Sequence, residues 1–339
     1  MQNKKKPDRS KEFESLLNLF KKKDNFILTT HRGPDPDGIG AELGLDLLLE
    51  KLGKRHFILN ADRIADKLSF LDPKSRIRNL EEAKLQNIQT DYTVVIVDNS
   101  EIERIGDVCN YLKPDRSNLI IIDHHDNVDH IPGMYSFPEF SASSEIVYEL
   151  MLHAGIEPDY NTAVALYLGI VVDTGQFKYN KTSPRTYELA GKLVDYGFPT
   201  EETIRKIYED VSADILYLKR DIFATLEVYK DYGLACIDVR KETYQKYGFN
   251  SNPIEGMVSD LLNPRDVYVS LCLSDGDDGL VKMSFRSKGS YNVCNVAKLF
   301  GGGGHNNASG AAVKGDFKTV KSNVILKLKE MIRNTKGQV

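Results

Sequence analysis

Apolar residues in the first half of the chain come in short unbroken runs separated by longer amphipathic stretches. FILTTH (26–31) and RHFILN (55–60) each carry an apolar core, and YTVVIVDNS (92–100) and NLIIIDHHD (118–126) are continuous β-branched runs. Such runs mark strands covered on both faces of a parallel sheet, whereas a strand with one wet face would alternate. The intervening GIGAELGLDLLLEKLG, SSEIVYELMLHAG, NTAVALYLGIVVDTG and SPRTYELAGKLVDYG read as helices, with a serine cap before the second and glycine ending the first and second. Strands followed by helices predict an α/β domain on a parallel sheet over residues 1–198.

The charged amphipathic stretch 199–229, PTEETIRKIYEDVSADILYLKRDIFATLEVY, predicts a helical linker. Beyond it the pattern changes. YGLACIDV, DVYVSLCLSD and GLVKMSFRS are short strands, with SDGDDG as a hairpin turn between the last two. NVCNVAKLF and FKTVKSNVILKLKEMIRN read as helices on either side of a glycine run. Residues 230–339 thus predict a smaller α/β domain.

Composition narrows the function classes. The 339 residues carry a net charge of −4, so the chain is not built to coat DNA and no stable DNA binding is expected. No apolar run reaches the length of a membrane span, and the charged N-terminus has no apolar stretch behind it, so neither membrane association nor a signal peptide is expected. Cys109, Cys236, Cys272 and Cys294 are too scattered for a zinc pattern or a disulfide framework, consistent with reduced thiols and a cytoplasmic location.

The ends of the apolar runs carry the chemistry. FILTTH ends at His31, with Asp35 and Asp37 just beyond; YTVVIVD ends at Asp98; NLIIID ends at Asp123, followed by His124 and His125; and LYLGIVVD ends at Asp173. Ligands of open parallel sheets bind outside the carboxyl ends of the strands, so these groups converge on one crevice. Carboxylates crowded together repel unless a cation joins them. A mixed imidazole and carboxylate set without thiolates suits manganese or iron, with magnesium possible. Pro36 is expected to keep the backbone extended between Asp35 and Asp37, so that the two can address different ions. Paired ions about 3.5–4 Å apart serve in-line displacement at phosphorus. In the second half, the four glycines before His305 let the backbone approach a ligand and predict an anion nest, and Arg286 offers a fork for phosphate.

DHHDN at 123–127 resembles the motif that names the DHH phosphoesterases. HRGPDPDGIG is similar to their first motif, VVIVDNSEIERIG to their second and VVDTGQF to their fourth. GGGGHNNASGAAV (301–313) with SFRS (284–287) resembles the signature of the DHH-associated C-terminal domain. The motifs span nearly the whole chain in the expected order, and the two-domain plan is similar to the nanoRNase group, which includes oligoribonuclease/pAp phosphatases and cyclic-di-AMP phosphodiesterases.

The resemblance implies two Mn2+ ions, one held by His31, Asp35 and Asp98 and the other by Asp37, Asp98, His124 and Asp173. It implies that Asp123 orients a neighbouring histidine, that His125 lies near the scissile phosphate, and that Arg286, Ser287, His305 and the backbone of Gly302, Gly303 and Gly304 hold the far end of the substrate. The implied activity is hydrolysis of short nucleotides (pApA-type dinucleotides, cyclic-di-AMP or pAp), with the second domain acting as a ruler and a homodimer as the plausible assembly. One departure stands in the first motif, where Ala41 replaces a frequent serine. Two rival readings are a pyrophosphatase on the same metal core, disfavoured by GGGGHNNASG, and a catalytically weak second-messenger sensor, disfavoured by the complete ligand set.

Overall fold

A computed structural model describes residues 8–83, 91–115, 117–126, 131–209, 212–249, 256–276 and 279–336. The chain divides into two compact units, residues 1–210 and 211–339. The first unit holds strands β1 (Phe26–Thr29), β2 (His56–Asn60), β3 (Ile77–Asn79), β4 (Thr93–Val97), β5 (Leu119–Asp123) and β6 (Met134–Ser136). They form one sheet in the order β3-β2-β1-β4-β5-β6, parallel throughout. The order reverses between β1 and β4, which opens a crevice at their carboxyl ends.

Helices α1 (Ser10–Lys22), α2 (Pro36–Lys51), α3 (Leu80–Ala83), α4 (Asp107–Leu112), α5 (Ser143–His153), α6 (Tyr160–Asp173), α7 (Pro184–Val194) and α8 (Thr200–Tyr208) complete the unit. Successive strand residues feed opposite cores. Leu28, Val95, Val97, Ile120 and Ile122 join the core of α1, α2, α5 and α6, while Ile27, Val94, Ile96 and Ile121 meet Val108 and Leu112 of α4. Both faces are covered, which explains the unbroken apolar runs.

Helix α2 is buried all round from Pro36 to Leu49, so it has no polar stripe to reveal it. Its small residues permit this. A Cβ on Gly40 would stand 2.6 Å from the Ala165 carbonyl of α6, and one on Gly44 would stand 2.6 Å from Val147 of α5. Ala41 is part of the same core, so that position faces packing rather than a ligand.

Three local expectations need correction. Helix α2 starts at Pro36, because proline at the first helical position has no N–H to leave unsatisfied. The backbone is extended only at Asp35, the N-cap (φ −100°, ψ 174°), and Asp37 lies in the first helical turn. Helix α5 has no serine side-chain cap; Ala142 occupies its N-cap. Asp173 closes α6, as the helical reading of NTAVALYLGIVVDTG predicts.

The second unit holds β7 (Glu227–Tyr229), β8 (Leu234–Val239), β9 (Val269–Asp275), β10 (Leu280–Ser287), β11 (Gly303–His305) and β12 (Ala308–Lys314), with α9 (Asp214–Phe223), α10 (Lys241–Gln245), α11 (Met257–Asp260), α12 (Cys294–Leu299) and α13 (Phe317–Lys336). Its mixed sheet runs β11-β12-β10-β9-β8-β7, with only β8 and β9 parallel. Residues 199–229 therefore contain α8 of the first unit and α9 and β7 of the second. In the SDGDDG turn, Asp277 and Asp278 lie outside the described residues; β9 and β10 pair antiparallel from Asp275 and Val281 onward. The four cysteines are free. Among the described residues, no helix is long and apolar enough to cross a membrane.

Candidate metal centre

The crevice between β1 and β4 receives its groups from five segments. Thr30, one residue past β1, donates from its hydroxyl to the Val97 carbonyl at 3.0 Å, and its backbone N–H donates to Asn60 Oδ1 at 3.1 Å. The residues before His31 and before Asp98 are thereby tied together and to the end of β2. Asp98 itself has φ 56°, a left-handed conformation that aspartate tolerates better than most residues and that turns the chain sharply out of β4.

Asp35 caps α2 with Oδ1, which accepts from the N–H groups of Asp37 (2.9 Å) and Gly38 (3.0 Å); Oδ2 faces His31 Nε2 at 3.8 Å. His31 Nε2 lies 3.5 Å from Asp98 Oδ2, and Asp98 Oδ1 lies 3.4 Å from His124 Nε2. Asp98 thus faces one imidazole with each oxygen. His124 Nε2 also faces Asp173 Oδ2 at 3.2 Å and Asp37 Oδ2 at 3.8 Å.

Asp37 supplies what α5 lacks at its start. The N–H groups of Ser143 and Ser144 donate to its two oxygens at 2.7 and 2.8 Å, which places a carboxylate at a helix N-terminus. Ser143 also donates from its hydroxyl to Asp98 Oδ1 at 3.1 Å. Helix α6 presses on the same spot: a Cβ on Gly169 would stand 2.1 Å from Ser144 Oγ and 2.9 Å from Asp37 Oδ1. These serines were not foreseen as site residues, because backbone N–H groups do the holding and they carry no signature of residue type.

Asp37, Asp98, Asp123 and His124 are all under 4% exposed, so their charges must be balanced locally. Burial raises the pKa of Asp37 well above the ordinary carboxylate range, with the Asp98 and Asp173 charges adding to it. Burial and Asp98 push Asp35 up to about 6. Burial would raise Asp98 too, but its bonds to His124 and His31 outweigh it and hold Asp98 well below the usual range. Burial opposes protonation of His124 and His31, yet the facing carboxylates reverse this, to about 10 and about 9. Among the described residues, the ion pairs of Asp35, Asp37, Asp98, Asp123 and Asp173 are all with histidines.

The donor set fits divalent cations. Ligand atoms of His31, Asp35 and Asp98 lie within 4.8 Å of one another, as do those of Asp37, Asp98 and His124, and Asp98 belongs to both groups. Asp123 stands behind. Its Oδ1 is 2.7 Å from His125 Nδ1, and its buried Oδ2 has no hydrogen-bond partner among the described residues. Burial works against the Asp123 anion, but the His125 charge and hydrogen bond prevail and lower its pKa. Of the remaining histidines, His56 pairs with Asp46 at 3.1 Å, the His153 ring lies 6.1 Å from Phe13, and His130 lies outside the described residues.

In the second unit, Arg286 and Ser287 end β10. Arg286 Nη1 donates to the Phe285 carbonyl, and its buried Nε has no partner among the described residues. The Ser287 hydroxyl donates to the Tyr291 carbonyl and accepts from Asn307 at 2.9 Å, so it braces the neighbouring loops. The glycine run is not the expected nest. Gly303 to His305 form edge strand β11, paired with β12 through Gly303–Gly310, Gly304–Ser309 and His305–Ala308. Glycine is required just before β11, because a Cβ on Gly302 would stand 2.0 Å from the Gly310 carbonyl. β11 is the outermost strand of its sheet, and its Gly304 carbonyl accepts from Cys294 Sγ at 3.1 Å.

A doubly wound domain with an acidic and imidazole cluster at its switch point places the chain among α/β proteins whose donor set could hold metal ions. The chain belongs to the DHH family: residues 25–170 match the DHH family, N-terminal domain, and residues 235–334 match the DHHA1 domain. It is 30% identical over 303 residues to the bifunctional oligoribonuclease and PAP phosphatase NrnA of Bacillus subtilis, covering 88% of this chain and 92% of that protein. It is 26% identical to the cyclic-di-AMP phosphodiesterase PdeA of Listeria monocytogenes, over 86% of this chain and 45% of that one. The crystal structure of an exopolyphosphatase-related protein from Bacteroides fragilis superposes with a TM-score of 0.83 at 26% identity, covering 95% and 98% of the two chains. Asp173 falls three residues past the matched DHH segment.

Proposed function

We propose that this protein is a manganese-dependent hydrolase of phosphoester bonds in short nucleotides, of the size of pApA, pAp or cyclic-di-AMP. The observation that carries the reading is the double engagement of Asp98, with one oxygen toward His31 and the other toward His124. It gives two adjoining donor sets with a shared carboxylate. His31, Asp35 and Asp98 would hold one ion; Asp37, Asp98, His124 and Asp173 would hold the other. Bound there, the ions would activate water and neutralise charge on the phosphoryl oxygens.

The chain's own groups do the rest. Asp123 accepts from His125 Nδ1 and so leaves Nε2 as the nitrogen that carries a proton to the leaving ribose oxygen. The side chains of Asp35 and Asp173 are 43% and 29% exposed and give the cluster its opening to solvent. Arg286, with its buried Nε, supplies a donor suited to a terminal phosphate. The names of the Bacillus and Listeria relatives support this substrate class.

The test uses the full chain after chelation, with Mn2+ or Mg2+ restored, and pApA, pAp, cyclic-di-AMP and a five-nucleotide RNA side by side. We expect turnover of at least one substrate only with metal, and a rise in Tm on adding Mn2+. A hundredfold excess over Kd would stabilise by about 2.7 kcal/mol. Turnover in chelator, or no turnover of any substrate with metal present, would overturn the reading.

A further inference from the structure

We propose that the turn following Asp173 carries a shelf on which a nucleobase of the substrate stacks. This rests on the functional reading above and adds a base-binding surface to the same site. Gly175, Gln176 and Phe177 follow α6 with φ of 57°, 59° and 63°. Three successive left-handed residues are unusual, and a bulky side chain such as phenylalanine is an outlier there. The turn is nevertheless firmly held. The Gln176 N–H donates to the Val171 carbonyl at 2.7 Å, and the Phe177 N–H donates to Thr174 Oγ1 at 3.0 Å.

Each of the three residues supports one exposed tyrosine. The Tyr179 ring lies so close over Gly175 that a Cβ there would stand 2.5 Å from it. The Gln176 side chain lies beside the Tyr208 hydroxyl and accepts from Lys178 Nζ at 3.3 Å. Phe177 stacks on Tyr187, with centroids 5.1 Å apart and planes 23° from parallel. The three tyrosines remain 44%, 41% and 56% exposed. Lone exposed aromatics need no explanation, whereas three gathered on one strained turn form a surface kept for contact. The turn starts two residues from Asp173, and Lys181 secures its far end by donating to the His124 carbonyl at 2.9 Å.

The chemistry of the surface selects the occupant. Flat rings rimmed by hydroxyls, an amide and an ammonium, beside a cluster that takes the phosphate, match a nucleobase. Stacking also tolerates any base, because every base offers a π-face.

The test compares Tyr187→Leu, Tyr179→Leu and the corresponding Phe variants of the full chain with Mn2+. The substrates are pApA and an abasic analogue with the same phosphates. Each Leu variant should raise KM for pApA by roughly tenfold with little change in kcat, the Phe variants should recover most of it, and the abasic analogue should be indifferent. Unchanged KM for pApA in both Leu variants, or an equal rise for the abasic analogue, would overturn the shelf. If the wild-type protein hydrolyses no nucleotide, the functional reading fails by itself. The shelf is then judged by the fluorescence of a 2-aminopurine dinucleotide: quenching lost in the Leu variants supports it, and no quenching with wild-type protein overturns it.

Discussion

The two ends of α2 hold the same kinds of residue in different electrostatic states. Near its C-terminal end, Asp46 and Glu50 lie with Asp72 and His56. Arg76 reaches Asp46 at 2.8 Å and Glu50 at 3.1 Å, and His56 meets Asp46 at 3.1 Å. At its N-terminal end, Asp35 and Asp37 join Asp98, Asp173, His31 and His124, and no guanidinium or ammonium pairs with these carboxylates among the described residues. The first cluster has a guanidinium among its partners, whereas the second meets only imidazoles, a donor set suited to a cation from outside. Acidic residues mark a metal site when their countercharge is missing, not when they are numerous.

Matched substitutions at the two ends give the largest expected effect. Asp98→Ala removes the carboxylate common to both donor sets and should lower kcat/KM by a thousandfold or more, on the order of 4 kcal/mol of transition-state stabilisation. Asp46→Ala should leave turnover per folded molecule unchanged. It should lower stability by about 1–3 kcal/mol, the cost of stranding His56 and one arm of Arg76. Steady-state kinetics and urea unfolding of both variants measure the contrast. Near-normal turnover in Asp98→Ala would break it.

Glu42 lies between the two ends and sharpens the comparison through pH. Its Oε2 accepts from Asn60 at 2.9 Å, while its buried Oε1 has no partner among the described residues. Burial raises its pKa from 4.5 to about 8, against the Asn60 hydrogen bond. The folded protein therefore holds a proton that the unfolded chain releases near pH 4.5. This stabilisation is full below that pH and is lost as pH rises through about 8, over a range of a few kcal/mol. Glu42→Gln keeps the neutral shape and should flatten that decline. Urea midpoints between pH 5 and 9 measure the slope; an unchanged slope would mean that Glu42 is ionised when folded.

Parts of this arrangement were legible in the sequence for physical reasons. FIL, TVVIV and LIIID announce central strands because both faces are buried, and the polar residues that end them must then lie at the sheet edge. Strands β3 and β6 were not legible, because three residues such as IRN and MYS carry no periodicity. The partnership of Asp37 with α5 joins residues 106 positions apart through backbone donors, which look alike in any sequence. The glycine run was readable as a close approach but not as a strand, since the approaching group is the partner strand's own backbone. The tyrosine cluster was hidden among 17 tyrosines and 14 phenylalanines, and only the turn at residues 175–177 gathers it.

The smallest expected effect is the sharpest control. Glu50→Gln deletes one negative charge from α2, as Asp35→Asn does at the opposite end. Glu50 is more than half exposed, and Arg76 keeps its 2.8 Å contact with Asp46 when Glu50 is neutral, so no buried charge is stranded. An exposed pair of this kind contributes roughly 0–1 kcal/mol, and the variant should unfold within that margin with kcat, KM and Mn2+ affinity unchanged. Asp35→Asn should instead weaken Mn2+ binding by at least about tenfold in a calorimetric titration, because an amide oxygen replaces an anionic ligand. If Glu50→Gln also weakened Mn2+ binding, charge at the far end would be sensed through the length of α2, and its two ends would have to be treated as one electrostatic unit.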